Sequence, residues 1–212
     1  GIGINIVNNF KLYYFIYVIG DATKFSGLGV INTIIGLLAV AAFPVLTTKF
    51  SRRKLFFASI AIMVVALVIY ALSGTNVYMA LFGAGLFALP QPLIFLVVLM
   101  TITDSVEYGQ LKLGHRDEAV CLCVRPLVDK FAGAVSSGII GLVAIWVGMT
   151  GGASAADITP ESLFHFQLVM FAAPIVLMVA ATFVYRAKVT LTEAEHARIV
   201  AKLEETWDKI NK

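Results

Sequence analysis

The sequence has little charge. Only 14% of its 212 residues are Asp, Glu, Lys or Arg, and 59% are hydrophobic, whereas about 25% of the residues of an ordinary soluble domain are charged. This shortage excludes a soluble globular fold, because such a fold presents charged and polar residues to water. It also excludes a disordered chain, which is poor in hydrophobic residues. The composition therefore predicts an all-α integral membrane protein.

The sequence is also poor in cysteine and in catalytic motifs. Its two cysteines, Cys121 and Cys123, point in different directions on a helix, so neither a disulfide nor a zinc pair is expected. The motifs HExxH, GxSxG and Walker A are missing. We therefore predict no enzymatic activity, no metal site and no cofactor. We attribute the net charge of +3 to basic loops and expect no nucleic-acid partner.

Six apolar runs are each about long enough to cross roughly 30 Å of hydrocarbon as a helix. They are residues 2–19, 27–47, 55–73, 78–103, 119–148 and 163–185. These runs predict six transmembrane helices. Residues 186–212 are polar with a thin apolar stripe, which predicts a cytoplasmic amphipathic tail.

Basic residues lie in alternate connections between the runs. Lys and Arg are frequent in 48–54, in 104–118 and at the start of the tail, whereas the other connections contain only Lys24. Cytoplasmic loops are enriched in Lys and Arg, so both termini are predicted to be cytoplasmic. We interpret the chain as part of a longer protein, in which a cytoplasmic segment precedes Gly1.

The fifth run carries three charged residues, Arg125, Asp129 and Lys130. A charge at the centre of a bilayer costs about 2.5–3.5 kcal/mol on insertion scales. Arg125 and Asp129 are four residues apart and can pair on one helix face, whereas Lys130 points elsewhere. Two interpretations stay open: an ion network that joins helices, or the lining of an aqueous substrate cavity. We favour the cavity.

The same helix face continues to Glu118, and His115 precedes Glu118 by three residues. A histidine and a carboxylate at the cytoplasmic mouth of a cavity can exchange protons near physiological pH. An ordinary solvated loop is the alternative. The residues alone do not decide between these two interpretations.

Two prolines interrupt the fourth run at 89–92, on either side of Gln91. Prolines remove backbone donors, and such interruptions in a membrane are tolerated where they line a cavity. A simple proline kink is the alternative. The first run contains Asn5, Asn8 and Lys11, and we expect Lys11 to face the interior of the bundle or its cavity.

The segment 104–118 begins Asp-Ser-Val-Glu-Tyr-Gly and continues to a Lys-Leu pair at 112–113. It resembles the loop between the tenth and eleventh helices of the glycoside–pentoside–hexuronide:cation symporters, which are carriers of the major facilitator type. Residues 13–21 resemble that family's seventh helix and its exit, and 51–53 its loop after the eighth helix. The resemblance extends over about residues 1–190. It implies the C-terminal six-helix half of a twelve-helix carrier.

Within that family, segments 112–118 and 124–130 are most similar to carriers of galactosides. This similarity implies secondary active transport by alternating access, either as proton-coupled galactoside (lactose) symport or as lactose–galactose exchange. It implies a role in coupling for His115, Glu118 and Lys112. The residues expected at the sugar or in its cavity are Gln91, Phe95, Arg125, Asp129 and Lys130, with Phe95 at the position of an aromatic residue that packs against the sugar.

The resemblance also implies the partners. They are a galactoside, a coupling cation that is a proton or alternatively sodium, the N-terminal half of the same carrier, the lipid bilayer, and a phosphotransferase-type IIA domain after the last helix. The expected location is the bacterial cytoplasmic membrane. Two alternative functions stay open: symport of another glycoside, a pentoside or a hexuronide, with sodium as a candidate ion, and a non-transporting membrane scaffold or sensor subunit.

Overall fold

The computed structural model describes residues 1–113, 118–150, 153–189 and 193–210. In these residues the regular structure is helical and no strand is present. The α-helices are α1 (Ile2–Tyr13), α2 (Thr23–Lys49), α3 (Arg52–Leu72), α4 (Val77–Ala88), α5 (Pro90–Leu113), α6 (Glu118–Val147), α7 (Pro160–Gln167), α8 (Ala173–Lys188) and α9 (Glu193–Ile210). Two π-helical segments, Tyr14–Val18 and Leu168–Ala172, follow α1 and α7 directly.

Each of the six predicted runs coincides with a helical stretch. Among the described residues, five stretches are long and apolar enough to cross a membrane, namely Thr23–Lys49, Arg52–Leu72, Val77–Lys112, Ala119–Val147 and Pro160–Lys188. These five make the chain a multi-pass membrane protein by length and composition. The boundaries predicted for the six transmembrane helices stay predictions.

The first run, 2–19, is the one that does not meet this criterion. A Cβ atom on Gly1 would lie 3.0 Å from that of Ala132, near the middle of α6. The Ser136 hydroxyl donates to the carbonyl of Ile2 at 3.2 Å. The start of the first helix therefore lies beside the middle of α6.

The first ten residues of the connection predicted at 104–118 are helical, because α5 continues to Leu113. A fall in hydropathy marks the end of an apolar run, but it does not end the backbone hydrogen bonding of a helix. Residues 104–113 contain no proline. The Thr101 and Ser105 hydroxyls bond to carbonyls four residues earlier, at 2.9 and 2.8 Å, as is usual within a helix.

The prolines around Gln91 produce a break of a single residue. Leu89 keeps helical angles (φ −57°, ψ −47°), and its N–H donates to the Gly85 carbonyl at 3.2 Å. The α4 and α5 segments therefore follow each other closely, and the chain around Gln91 is not unwound.

Within the core, an aromatic cluster fixes the first helix between α3 and the π-segment Leu168–Ala172. The Tyr14 ring lies 4.8 Å from that of Tyr70, and the Tyr70 ring lies 5.3 Å from that of Phe171. The Tyr14 hydroxyl lies 3.0 Å from that of Ser73 and donates to the Gly74 carbonyl at 2.8 Å. These contacts set the rotation of α1 and so direct Asn8 and Lys11 inward.

Candidate functional site

Arg125, Asp129 and Phe95 meet where α5 and α6 pack together. The Nε atom of Arg125 lies 3.1 Å from Oδ2 of Asp129. The guanidinium carbon lies 4.3 Å from the centre of the Phe95 ring, and Nη1 donates to the Phe95 carbonyl at 3.4 Å. Arg125 is thus held by an ion pair within its own helix and by a cation–π contact to its neighbour.

These three residues line a cavity of about 670 Å³. Asn5 and Gln91 add polar groups to its wall. Apolar side chains complete the lining, among them Ile94, Val98, Val124 and Val128. A mostly apolar wall with a few convergent polar groups is typical of a small-molecule site.

The cavity carries the groups that a polyol needs. Arg125 has five N–H donors, of which the ion pair and the carbonyl contact use two. The Asp129 carboxylate is 48% exposed and can accept further hydrogen bonds. The Phe95 ring presents an apolar surface and is 47% exposed.

Gln91 connects this cavity to α1. Asn8 donates from Nδ2 to Oε1 of Gln91 at 3.1 Å, and Gln91 donates from Nε2 to Oδ1 of Asn8 at 3.4 Å. Lys11 donates from Nζ to the same Oδ1 at 3.0 Å, and it is only 3% exposed. Lys11 therefore faces the interior, where the sequence places it, and a polar network runs from Lys11 to the cavity wall.

Lys130 does not join these residues. It is exposed on α6, and within the described part of the chain it pairs with no carboxylate. It does not line the cavity of Arg125 and Asp129. One residue along a helix turns the side chain by about 100°, which separates Lys130 from the face of Asp129. Its role at the sugar stays a prediction.

The coupling residues are described only in part. His115 lies outside the described residues, and Glu118 begins α6 but its side chain is likewise outside them. Lys112 is exposed, with Nζ 4.8 Å from the centre of the Tyr108 ring on its own helix. At a helical rise of about 1.5 Å per residue, the backbone of Glu118 lies about 10 Å before that of Arg125 along α6. The coupling role of these residues stays a prediction.

A charged cluster near the end of α5 has no counterpart in the predictions. Asp104 forms an ion pair with Arg52 at the start of α3. His196 of α9 pairs with Glu107, and its Nε2 atom lies 3.3 Å from Oδ1 of Asp104. The cluster docks the tail helix α9 against α5. Sequence reasoning missed it because its members are far apart in the chain.

The chain matches a family of known transporters. The family described as MFS/sugar transport protein matches residues 2–191. The chain is 49% identical to the raffinose carrier protein of Pediococcus pentosaceus over 98% of its own length. It is 50% identical over 96% to the lactose permease of Lactobacillus delbrueckii subsp. bulgaricus, and 43% identical over 93% to that of Lactobacillus helveticus.

The matches cover 32%, 32% and 31% of these three relatives, so the chain spans about a third of their length. They confirm the resemblance to sugar carriers of the major facilitator type inferred from segment 104–118. They also confirm that the chain is similar to the lactose permeases of lactic-acid bacteria.

Proposed function

Since the chain belongs to the MFS/sugar transport protein family, we propose that it forms the C-terminal six-helix half of a twelve-helix carrier that moves a galactoside together with a proton. The family consists of multi-pass membrane transporters rather than enzymes. Relatives named lactose permease and raffinose carrier support a galactoside as the substrate. The carrier would act in the bacterial cytoplasmic membrane, with both ends of this segment on the cytoplasmic side.

The observation that carries the proposal is the cavity at Arg125, Asp129 and Phe95. In a carrier that works by alternating access, the substrate binds near the midplane, between two halves that rock around it. Arg125 would donate to sugar hydroxyls, Asp129 would accept from them and balance the arginine, and the Phe95 ring would cover an apolar face of the sugar. Gln91 would add one acceptor, because its Oε1 atom accepts a single hydrogen bond, from Asn8, and has a second lone pair.

Coupling is assigned to the cytoplasmic end of the cavity. His115 and Glu118 would relay protons or control the return of the empty carrier, with Lys112 beside them. Lys130 would donate to the sugar or pair with a carboxylate of the N-terminal half. A IIA-type domain after the last helix, as in the resembled carriers, would be a further partner.

The test measures external pH in lightly buffered, de-energised cells that produce the full-length carrier. Lactose is added, and lactose entry is followed in parallel. The proposal predicts that the medium becomes alkaline as lactose enters these cells, and that in energised cells a protonophore abolishes lactose accumulation but leaves lactose entry. Glu118→Gln should impair uphill uptake more than lactose–galactose exchange.

Three outcomes would contradict the proposal or a part of it. If lactose enters and the pH does not change, coupling belongs to sodium or to exchange. If neither entry nor a pH change is seen, the substrate is not this galactoside, and xylosides and hexuronides are tested next. Equal loss of uptake and exchange in Glu118→Gln would make Glu118 a structural residue.

A further inference from the structure

A second cavity lies next to the first, on the side of α1 and α2. It has a volume of about 300 Å³. Gln91 and Pro92 line both cavities, so the two spaces adjoin at these residues. Asn8, Lys11 and Asn32 supply the other polar groups of the second cavity.

Lys11 is the cation of this second cavity. Its ammonium group has three donors, of which one bonds to Asn8 at 3.0 Å. The group also lies 5.2 Å from the centre of the Phe87 ring, which partly offsets its charge. Among the described residues no carboxylate pairs with Lys11. Since a buried charge is costly without hydrogen-bonding partners, its remaining N–H groups are available to a ligand.

The α2 wall of the cavity offers an acceptor. The Oδ1 atom of Asn32 is buried, and it accepts no hydrogen bond from the residues that the structure describes. Gly29 and Gly36, about one turn away on either side, also line the cavity. No atom lies within 4 Å of the point that a Cβ on either glycine would occupy. The cavity wall around Asn32 therefore leaves room for a ligand.

The Lys11 donor and the Asn32 acceptor together determine which kind of ligand fits the cavity. A carboxylate could accept from Lys11 but could not donate to Asn32 Oδ1, whereas a cation would be repelled by Lys11. An alcohol hydroxyl has one donor and two acceptor lone pairs, and so it can serve both groups. The cavity therefore fits a hydroxylated ring.

We propose that Lys11 and Asn32 form a hydroxyl-binding subsite for a second sugar ring, while the first ring lies beside Arg125 and Phe95. This inference rests on the proposed function and assigns recognition of the second ring to Lys11 and Asn32. Gln91, which lines both cavities, would lie beside the link between the rings. Lys11 would thus determine how well the carrier distinguishes an oligosaccharide from a monosaccharide.

The test is Lys11→Met in the full-length carrier. The half-saturation concentrations for lactose and for galactose are measured in the same membranes. Loss of a hydrogen bond to a charged donor should raise the value for lactose about tenfold or more, and the ratio of lactose to galactose should rise with it. The matched control is Lys24→Met, which removes an exposed lysine that does not line the cavity and should leave the ratio unchanged.

A second variant covers the case in which Lys11→Met does not reach the membrane. Asn32→Ala removes an oxygen that has no hydrogen bond to the described residues, and it should raise the lactose value about three- to tenfold. If the half-saturation concentrations for lactose and galactose rise equally in these variants, or if neither rises, their ratio stays constant. That result would contradict the proposed subsite but not the proposed function. A wild-type carrier that takes up neither sugar would overturn the proposed function, and the subsite with it.

Discussion

At the scale of single residues, the first cavity depends on how one ion pair is placed. The side chain of Arg125 is 15% exposed and that of Asp129 is 48% exposed. Arg125 is covered by Phe95, while the carboxylate reaches the cavity. A pair that is partly exposed contributes only about 0–1 kcal/mol to stability. The pair is therefore suited to binding more than to holding the bundle together.

This placement predicts the behaviour of charge-neutral variants of the pair. Arg125→Gln and Asp129→Asn should each reach the membrane, and each should weaken galactoside binding about tenfold or more, because each loses a charged hydrogen bond to the sugar. The double variant should bind no better than the single ones. Equilibrium binding of a labelled galactoside to membranes measures this. Recovery of binding in the double variant would show that the pair has only a structural role.

The site residues differ in how far the sequence could predict them. The Arg125–Asp129 pair follows from a spacing of four residues within one helix. Phe95 is predicted only through the family resemblance. Its contact with Arg125 joins two helices, and the pattern of one helix does not show such a contact. Asn32 lies in an apolar run and gave no signal. A helical pattern gives the direction of a side chain around the axis of its own helix, but it does not identify the helix that the side chain faces. For the same reason, the sequence does not show which helix or ligand Lys130 faces.

At the scale of helices, α3 and α4 cross at very short range. A Cβ on Gly83 would lie 2.9 Å from the backbone N and Cα atoms of Tyr70. No side-chain rotation can relieve that contact, because the opposing atoms are backbone. The glycine therefore allows the two helices to approach closely.

Gly83→Ala should lower the stability of the carrier by about 1–3 kcal/mol, since α3 and α4 would have to move apart. Gly138→Ala is the matched control, because no atom lies within 4 Å of its Cβ position on α6. Thermal unfolding of the purified carrier in detergent should show a lower Tm for the first variant only. Equal values of Tm for the two variants would contradict the close crossing.

The helices show what apolar patterning can and cannot predict. The six runs anticipated the positions of the helical stretches, because residues that cross a membrane must satisfy their backbone within the segment. The pattern did not predict the end of α5 at Leu113 or the π-helical segments. It also did not predict the docking of α9 through His196. These features depend on backbone geometry or on contacts between distant residues, which hydropathy does not record.

At the scale of the whole molecule, the proposed function makes this chain one wall of a binding space. Its polar groups come from α1, α2, α5 and α6 and converge around Gln91. The family match and the relatives, which are about three times as long, agree with a half carrier. In the proposed carrier, a galactoside occupies the cavity beside Arg125.

Protection of a single cysteine by substrate shows whether a galactoside occupies this cavity. In a full-length carrier in which Cys121, Cys123 and any cysteine outside this segment are replaced by serine, Val128→Cys places a single thiol in the cavity wall. The neighbouring Leu127→Cys places one on an exposed position that does not line the cavity. Lactose at about ten times its Kd should slow labelling at position 128 about tenfold and leave position 127 unchanged. Equal slowing at both positions, or no protection at 128 in a carrier that still transports lactose, would show that lactose does not bind in this cavity.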